Sequence, residues 1–241
     1  MTKNTKSFIY FLRLPAIFLV IAIVAGYLIF IANGYILNLK SKTIEQTGMI
    51  YLKSSPRGVN IYLNNELKGS KTPIKLGELT SGRYDIKVSQ DTYQDWQKSL
   101  NVEKGFVNAE DSIVLFYKDP IDSLVTEEEK EAFKKLPNKL LNADIKIMEL
   151  SEIWVPDPEN SDKNILVTRL SQPIKKAVYY SDKKHIIFQV GSEIRVIDLD
   201  GSNNLKLVAL PSEDSIEFHV DDSGQYLFYQ VKDELKKIKI H

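Results

Sequence analysis

The sequence predicts a mainly β protein that carries one N-terminal transmembrane helix. Three observations lead to this fold class: a long uncharged apolar run near the N-terminus, alternating strand patterns over residues 48–117, and an internal repeat over residues 144–241. The expected order is the helix, a small antiparallel β-sandwich, and incomplete β-propeller-like repeats of four strands each.

The first element is an apolar run at residues 14–39, which contains no charged side chain and is bracketed by Arg13 and Lys40. A helix needs about 20 apolar residues to cross the hydrocarbon core. We therefore predict a transmembrane helix over 14–39, preceded by a cytoplasmic tail at 1–13. A cleaved signal peptide is the alternative, because residues 32–34 are small, but the run exceeds the roughly 7–15 residues typical of a signal core.

The orientation of this anchor rests on its flanking charges. Lys3, Lys6 and Arg13 precede the run without any acid, yet Lys40 and Lys42 follow it, so a count of charges does not decide. The short positive tail before the first apolar segment favours a cytoplasmic N-terminus. We expect a single-pass membrane protein whose C-terminal body is extracytoplasmic.

The second element is a β-sandwich at residues 48–117, where apolar and polar residues alternate as in half-buried strands. Strands are predicted at residues 49–53, 59–63, 84–88 and 113–116. Turn residues separate these runs at Asn64-Asn65, Ser81-Gly82 and Lys104-Gly105. The spacing predicts an antiparallel sandwich of about six or seven strands.

Landmark residues within this module resemble the PEGA domain family. They are Ser55-Pro56-Arg57-Gly58-Val59, Ile61-Tyr62-Leu63, Gly69, Thr72-Pro73, Leu79, Gly82-Arg83-Tyr84, Val88, Tyr93 and Trp96. The sequence departs from the family pattern at Val59, where Ala is usual, and at Asn64-Asn65, where Asp-Gly is frequent. The resemblance implies a surface or envelope module with a sandwich fold, often tethered to a membrane and suggested to associate with glycans. It implies no catalytic residues.

Tyr93 and Trp96 are the candidate ligand-binding residues of the sandwich. Two aromatic rings close in sequence can form a stacking platform for a sugar ring. The alternative is that Trp96 packs in the core or at the sheet edge, as aromatic residues in small sandwiches commonly do.

Residues 118–143 are predicted to form a linker with a short helix that ends at Lys135. Thr126 is placed as its N-cap, and Glu129 is placed three residues later to complete a capping box.

Residues 144–241 contain a repeat with a period of 41, in which 145–157 align with 186–198 and a third copy begins at Leu227. A period of about 40–45 residues built from four strands is typical of a propeller blade. In the middle copy the strands are predicted at residues 177–180, 185–190, 193–199 and 205–210, with Asp200-Gly201 as a connecting turn.

These copies resemble TolB-type propeller repeats, whose blades carry a polar turn before a hydrophobic strand. Residues 181–184 and 222–225 fill that position here. A closed propeller needs about four to eight blades, whereas this region supplies fewer than three. Three alternatives follow: a truncated chain, sheets that stay open, or sheets that a partner completes.

Composition and spacing exclude most kinds of active site. The chain has no cysteine, so it has no disulfide, thiolate metal site or thiol nucleophile. Asp198-Leu199-Asp200-Gly201 fails as a calcium loop because the twelfth position is Ala209 rather than a Glu. His185, His219 and His241 lie far apart without metal-ligand spacing. We therefore expect no metal, no cofactor and no enzymatic activity.

Charge balance argues against a nucleic-acid partner. The 32 Lys and Arg residues equal the 32 Asp and Glu residues, whereas nucleic-acid-binding proteins usually carry a basic excess. The resulting hypothesis is a membrane-anchored envelope or cell-surface protein with a non-catalytic binding or structural role. Its partner would be a cell-wall or surface glycan, or an envelope protein. The alternative is a subunit or truncated form of a larger propeller-containing enzyme or sensor.

Overall fold

The computed structural model describes residues 3–38, 42–135, 144–157, 160 and 162–241. This part of the chain is mainly β, with several small sheets and two helices. The chain divides into two compact units. The first unit comprises residues 1–51, 74–84 and 100–110, and the second comprises residues 52–73, 85–99 and 111–241. The predicted module at 48–117 therefore contributes residues to both units.

The N-terminal helix α1 spans Lys3–Ala32. Its segment Pro15–Ala32 has a mean hydropathy of 2.7 and is unburied, so it is long and apolar enough to cross a membrane or to be a signal sequence. The helix ends at Ala32 because Asn33 caps it, with its side-chain Nδ2 donating to the Ile29 carbonyl at 2.7 Å. The predicted helix over 14–39 is therefore wrong at its C-terminal end.

Residues after the cap form a β-hairpin instead of helix. Strand β1 spans Tyr35–Asn38 and pairs antiparallel with β2, Thr43–Gln46. Gly34, which lies between the helix and the strand, has a φ of 73°, the left-handed conformation that glycine commonly adopts after a helix C-terminus. In this hairpin Leu37 lies opposite Ile44.

The sandwich module has seven strands, and those predicted at 49–53, 59–63 and 84–88 are present, whereas the strand predicted at 113–116 overlaps the observed one only at residues 113 and 114. The seven strands are β3 Gly48–Ser55, β4 Asn60–Leu63, β5 Glu66–Gly69, β6 Ile74–Leu79, β7 Gly82–Ser89, β8 Trp96–Val102 and β9 Val107–Val114. They form a three-stranded sheet in the order β6-β3-β9 and a four-stranded sheet in the order β5-β4-β7-β8. Side chains alternate along β3, with Ile50 and Leu52 fully buried, as the sequence pattern predicts.

The predicted turns of this module are confirmed at two positions. Asn64 and Asn65 have φ values of 49° and 67° and connect β4 to β5, so they form the expected tight hairpin turn. Gly105 has a φ of 74° in the connection between β8 and β9. Asparagine and glycine are the residues that adopt such angles at least cost.

The predicted linker contains a strand that the sequence did not reveal. Strand β10 spans Ile121–Ser123, and helix α2 spans Glu127–Lys135. The capping box is confirmed, because Thr126 N donates to Glu129 Oε2 at 2.9 Å and Glu129 N donates to Thr126 Oγ1 at 3.2 Å. Residues 136–143 of this linker lie outside the described residues.

The repeat region forms three antiparallel sheets. Its strands are β11 Lys146–Met148, β12 Glu152–Pro156, β13 Asn164–Arg169, β14 Ile174–Tyr179, β15 His185–Val190, β16 Glu193–Asp198, β17 Leu205–Ala209, β18 Phe218–Val220, β19 Tyr226–Val231 and β20 Glu234–Lys239. The first sheet has the order β11-β12-β13, the second β14-β15-β16-β17 and the third β10-β20-β19-β18.

The four strands predicted for the middle copy are confirmed within a few residues at each end. The prediction of four strands per copy is wrong for the first sheet, which has three strands in the described part of the chain. The third sheet reaches four strands only because β10 pairs with β20. These three sheets do not form a closed propeller within the described ranges.

The period of 41 recurs in backbone hydrogen bonds. Tyr180 N donates to the His185 carbonyl at 2.9 Å, and 41 residues later Asp221 N donates to the Tyr226 carbonyl at 3.0 Å. The same turn therefore introduces the second strand of the second sheet and of the third sheet. The sequence repeat is a structural repeat.

The three sheets stack through two apolar cores. One core lies between the first and second sheets and includes Ile153, Val155 and Phe188. The other lies between the second and third sheets and includes Ile187 and Leu227. Strand β15 is buried at every position because it lies in the middle sheet and contributes to both cores.

Candidate functional site

Trp96 is buried at the start of β8. Only 2% of the residue is exposed, and its indole Nε1 donates a hydrogen bond to Asp198 Oδ2 at 3.0 Å. Asp198 ends β16, the third strand of the second repeat sheet. The ring of Trp96 therefore packs inside the second unit. This agrees with the alternative that Trp96 is a packing residue rather than a stacking platform for a sugar.

Tyr93 also has its own protein partner. Its ring stacks on that of Tyr117, with centroids 4.5 Å apart and planes inclined by 22°. Burial, together with the neighbouring Tyr117 hydroxyl, raises the pKa of Tyr93 to about 12. The two predicted ligand-binding residues thus contact different parts of the protein, and a role for them in glycan binding stays a prediction.

A polar cluster surrounds the Trp96 indole. Asp198 Oδ2 also accepts from Asn203 Nδ2 at 2.9 Å and from Ser202 Oγ at 3.2 Å. His185 lies between two carboxylates, with Nδ1 at 2.7 Å from Asp182 and Nε2 at 3.4 Å from Asp198. Burial raises the pKa of Asp198, against the opposing effects of His185, Asn203 and Trp96. The donors satisfy a carboxylate that would otherwise be costly to bury.

Further contacts attach β8 to the second repeat sheet. Lys98 Nζ lies 2.8 Å from Asp200 Oδ2, and Gln97 N donates to Asn203 Oδ1 at 2.9 Å. Gln94 Nε2 donates to the Lys206 carbonyl at 2.8 Å. We call the Trp96–Asp198 pair with these contacts the docking cluster. The hydrogen bonds and the ion pair of this cluster hold β8 against the second repeat sheet.

The first repeat sheet presents a different tryptophan on its surface. Trp154 is half-buried, and its Nε1 donates to Glu152 Oε2 at 2.7 Å. Arg169 Nε donates to the other carboxylate oxygen of Glu152 at 2.6 Å. The indole and the guanidinium together lower the pKa of Glu152 below its ordinary value. This carboxylate is therefore held ionised between two planar groups.

Strand register places more side chains beside this trio. Lys146 pairs with Trp154, which pairs with Leu166, while Met148 pairs with Glu152. Directly opposed residues share one face of a sheet. We call this face, made of Lys146, Met148, Glu152, Trp154, Leu166 and Arg169, the open face. Met148 is 48% exposed and Leu166 is 40% exposed, so apolar surface lies in contact with solvent.

The repeat explains why this face is open. Glu152 and Trp154 align with Glu193 and Arg195, and the Arg195 guanidinium Nη1 donates to Glu193 at 2.6 Å. Arg195 pairs with Phe188, which packs in the core shared with the first sheet. In the second sheet, the face that carries Arg195 is therefore covered by the first sheet. In the first sheet, the face that carries Trp154 is the one opposite the core shared with the second sheet, and no preceding sheet covers it in the described residues.

The aligned sheets also share a register irregularity. A β-bulge interrupts the pairing of β12 with β13 between Ile153 and Trp154, and another interrupts β16 with β17 between Ile194 and Arg195. These positions are 41 residues apart. A bulge increases the local twist of a strand and redirects its side chains. The two bulges therefore redirect side chains at equivalent positions of the first and the second sheet.

The opposite end of the stack is the far side of the third sheet, where α2 makes contact. Lys237 Nζ lies 2.7 Å from Glu129 Oε1 and 4.4 Å from the centroid of the Tyr226 ring. The Lys237 ammonium lowers the pKa of Glu129. A cleft of about 1090 Å³ lies beside α2 and includes Lys130 and Phe133 in its lining. This end of the stack is thus contacted by the chain's own helix.

Sequence reasoning missed the open face. The available signal was an aromatic residue, Trp154, at a position where the other copies carry the cations Arg195 and Lys236. Its meaning depends on which face of which sheet lies at the end of the stack, and the strand pattern alone does not give that order. Among the described residues, no group of three or more His, Asp or Glu side chains is arranged to hold a metal ion.

Comparison with protein families finds the PEGA domain at residues 47–109. This match runs from the start of β3 to the first residues of β9, and PEGA domains are surface or binding-type modules. A comparison with curated proteins finds no match for the chain.

Proposed function

We propose that this protein is held at a membrane by α1 and acts at the cell envelope or cell surface as a non-catalytic binding protein. The PEGA match supports a surface module, and the length and composition of Pro15–Ala32 support an anchor. The positive tail supports a cytoplasmic N-terminus with the body outside. In this proposal the partner docks on the open face of the first repeat sheet.

The composition of the open face carries this proposal and favours a protein partner. Trp, Met and Arg are enriched at the centres of protein interfaces, and this face contains Trp154, Met148 and Arg169 together. Leu150, in the adjoining turn, is 69% exposed and extends the apolar surface. An isolated sugar-stacking ring would not need this additional apolar surface. A glycan partner is the competing outcome.

The way in which the repeat sheets stack indicates the shape of surface that the partner should present. Turn hydrogen bonds and bulges that recur at 41 residues support the interpretation that the sheets are propeller-type blades of the TolB kind. In such a stack each sheet covers the face of the next. A partner that presents an apolar sheet face would cover the open face as the first sheet covers the second.

Site-specific photocrosslinking of the full chain in its own cells tests the proposal. A benzophenone amino acid replaces Leu166 on the open face or, as control, Leu67, which is 59% exposed on β5. We expect a protein adduct from position 166 that disappears with Trp154→Ala and persists with Leu67→Ala. Adducts of equal yield from both positions would contradict the proposal.

Cosedimentation of the same full-length variants with cell-wall polysaccharide tests the competing partner. Sedimentation that is lost with Trp154→Ala, without a protein adduct at position 166, would assign the open face to a glycan. Sedimentation that is lost with Trp96→Phe but not with Trp154→Ala would assign glycan binding to the residues predicted from the sequence.

A further inference from the structure

The hairpin that follows α1 exposes one apolar face. Tyr35 and Leu37 lie on the same side of β1, and Ile44 lies opposite Leu37 on β2. Leu37 and Ile44 are 58% and 62% exposed. The other side of the hairpin carries Thr43, whose Oγ1 donates to Glu45 Oε1 at 2.8 Å. That side also carries Glu45 and the half-buried Ile36, so the strongly exposed apolar side chains of the hairpin, Leu37 and Ile44, lie together on the other side.

This apolar face continues the surface of α1. The ring of Tyr35 stacks on that of Phe30, with centroids 5.4 Å apart. Phe30 lies in the last turn of Pro15–Ala32, the segment that is long enough to cross a membrane. At about 1.5 Å per residue, this segment has the length of the hydrocarbon core. If it spans the bilayer, Tyr35 lies in the headgroup layer, where tyrosine is enriched.

A second exposed apolar pair lies where the loop between β8 and β9 leads into β9. Phe106 and Val107 are 65% and 59% exposed. Gly105 N, directly before them, donates to the Thr47 carbonyl at 3.0 Å, and Met49 N donates to the Phe106 carbonyl at 3.0 Å. The loop is thus fixed to the start of β3.

Hydrogen bonds also fix the start of β3 to the end of the helix. The Gly34 carbonyl accepts from both Thr47 N and Thr47 Oγ1 at 2.8 Å. Gln46 Nε2 donates to the Asn33 carbonyl at 3.2 Å. Two hydrogen-bonded steps therefore lead from Gly34 to Gly105 through Thr47. These hydrogen bonds connect the helix end directly to the loop.

We propose that Tyr35, Leu37, Ile44, Phe106 and Val107 form a collar that inserts into the headgroup layer of the bilayer. Apolar contact provides the attraction, because Glu103 and Lys104 give the loop one charge of each sign. Lys42, exposed at the hairpin turn, adds attraction to anionic headgroups. This proposal rests on the anchoring of α1 and adds a second contact with the same membrane.

The chain contains no cysteine, so single substitutions give uniquely labelled protein. The full chain is reconstituted into phosphatidylethanolamine–phosphatidylglycerol vesicles, and a nitroxide is attached at Ile44→Cys, Phe106→Cys, Thr43→Cys or Val24→Cys. Collision rates with oxygen and with a water-soluble nickel complex report depth. Thr43→Cys is the matched control, since it lies on the polar side of the same hairpin. Near-ultraviolet circular dichroism checks the fold of each variant.

We expect labels at 44 and 106 to lose most of their collisions with nickel relative to the label at 43, and the label at 24 to be fully protected. Equal nickel access at 43, 44 and 106 with protection at 24 would overturn the collar and leave the anchor intact. Nickel access at all four positions would overturn both the collar and the anchor.

Discussion

The two tryptophans of this chain make the same hydrogen bond in opposite surroundings. Trp96 donates to Asp198, and Trp154 donates to Glu152. Burial raises the pKa of Asp198, whereas the indole and Arg169 lower that of Glu152. An indole–carboxylate pair therefore has no fixed role. Both carboxylates are largely buried, since the side chains of Asp198 and Glu152 are 16% and 5% exposed. The burial of the indole and the other partners of the carboxylate therefore decide whether the pair holds two elements together or lies at a surface.

The largest expected effect is the loss of the buried indole. Trp96→Ala should lower the free energy of unfolding by about 3–5 kcal/mol, because it leaves a cavity and removes a donor from a buried carboxylate. Urea unfolding of the full chain in detergent measures this. Trp96→Phe keeps most of the packing and should lose less. A loss below about 1 kcal/mol for the alanine variant would place Trp96 outside the core.

The turn beside the docking cluster should also be sensitive. Gly201 has a φ of 83°, and a Cβ there would lie 2.5 Å from the Val167 carbonyl oxygen. Gly201→Ala should cost about 1–3 kcal/mol of unfolding free energy through backbone strain and this clash. Gly58→Ala is the control, because its Cβ would meet no atom within 4 Å. Equal unfolding midpoints for the two variants would contradict this account.

Opposite pKa shifts predict opposite dependence on pH. The folded pKa of Glu152 lies below its ordinary 4.5, so its stabilising contribution is present above pH 4.5 and is lost as the pH falls. Glu152→Gln should lower the urea midpoint at pH 7 and have less effect at pH 3. A constant difference between the variant and the parent protein across this range would refute the assignment.

For Asp198 the sign reverses. Its folded pKa lies above the ordinary 3.8, so the folded state binds more protons and loses stability as the pH rises through 3.8. The urea midpoint of Asp198→Asn, compared with that of the parent protein, should therefore rise between pH 3 and pH 7. A relative midpoint that falls over this range would show that the ionised carboxylate is stabilised in the fold.

The smallest expected effect on stability is that of replacing the half-buried Trp154. Trp154→Ala should lower the unfolding free energy by less than Trp96→Ala does, because the indole of Trp154 is only half-buried. The chain has two tryptophans, so Trp96→Phe and Trp154→Phe each leave one. Acrylamide should quench the fluorescence of Trp154 more strongly than that of Trp96. Equal quenching would remove the distinction between the two sites.

Local patterns in the sequence predicted local structure well. The middle-copy strands, the capping box at Thr126 and the Asn64-Asn65 turn follow from short-range chemistry, and all three are present. The end of α1 was missed because the apolar run continues through residues that pair as β1. Hydropathy does not distinguish a membrane helix from an exposed apolar strand.

Pairings between residues far apart in the sequence could not be predicted from local sequence patterns. Strand β10 has three residues, too few for a periodic signal, and its partner β20 comes from the far end of the repeats. The docking cluster likewise joins residues from two separately predicted domains, Trp96 and Asp198. The open face required knowledge of how the sheets are ordered. In each case the deciding contact lies far away in the chain.

The pairing of β10 with β20 gives the repeat region a ring-like connectivity. Ile121, which precedes every repeat strand, pairs with Lys239, and Tyr117 N donates to the Ile240 carbonyl at 3.0 Å. The polypeptide thus enters and leaves the three sheets at one place. Strands β10 and β20 should therefore open together, and the amide hydrogens of Ile121–Ser123 should exchange at rates similar to those of their partners on β20.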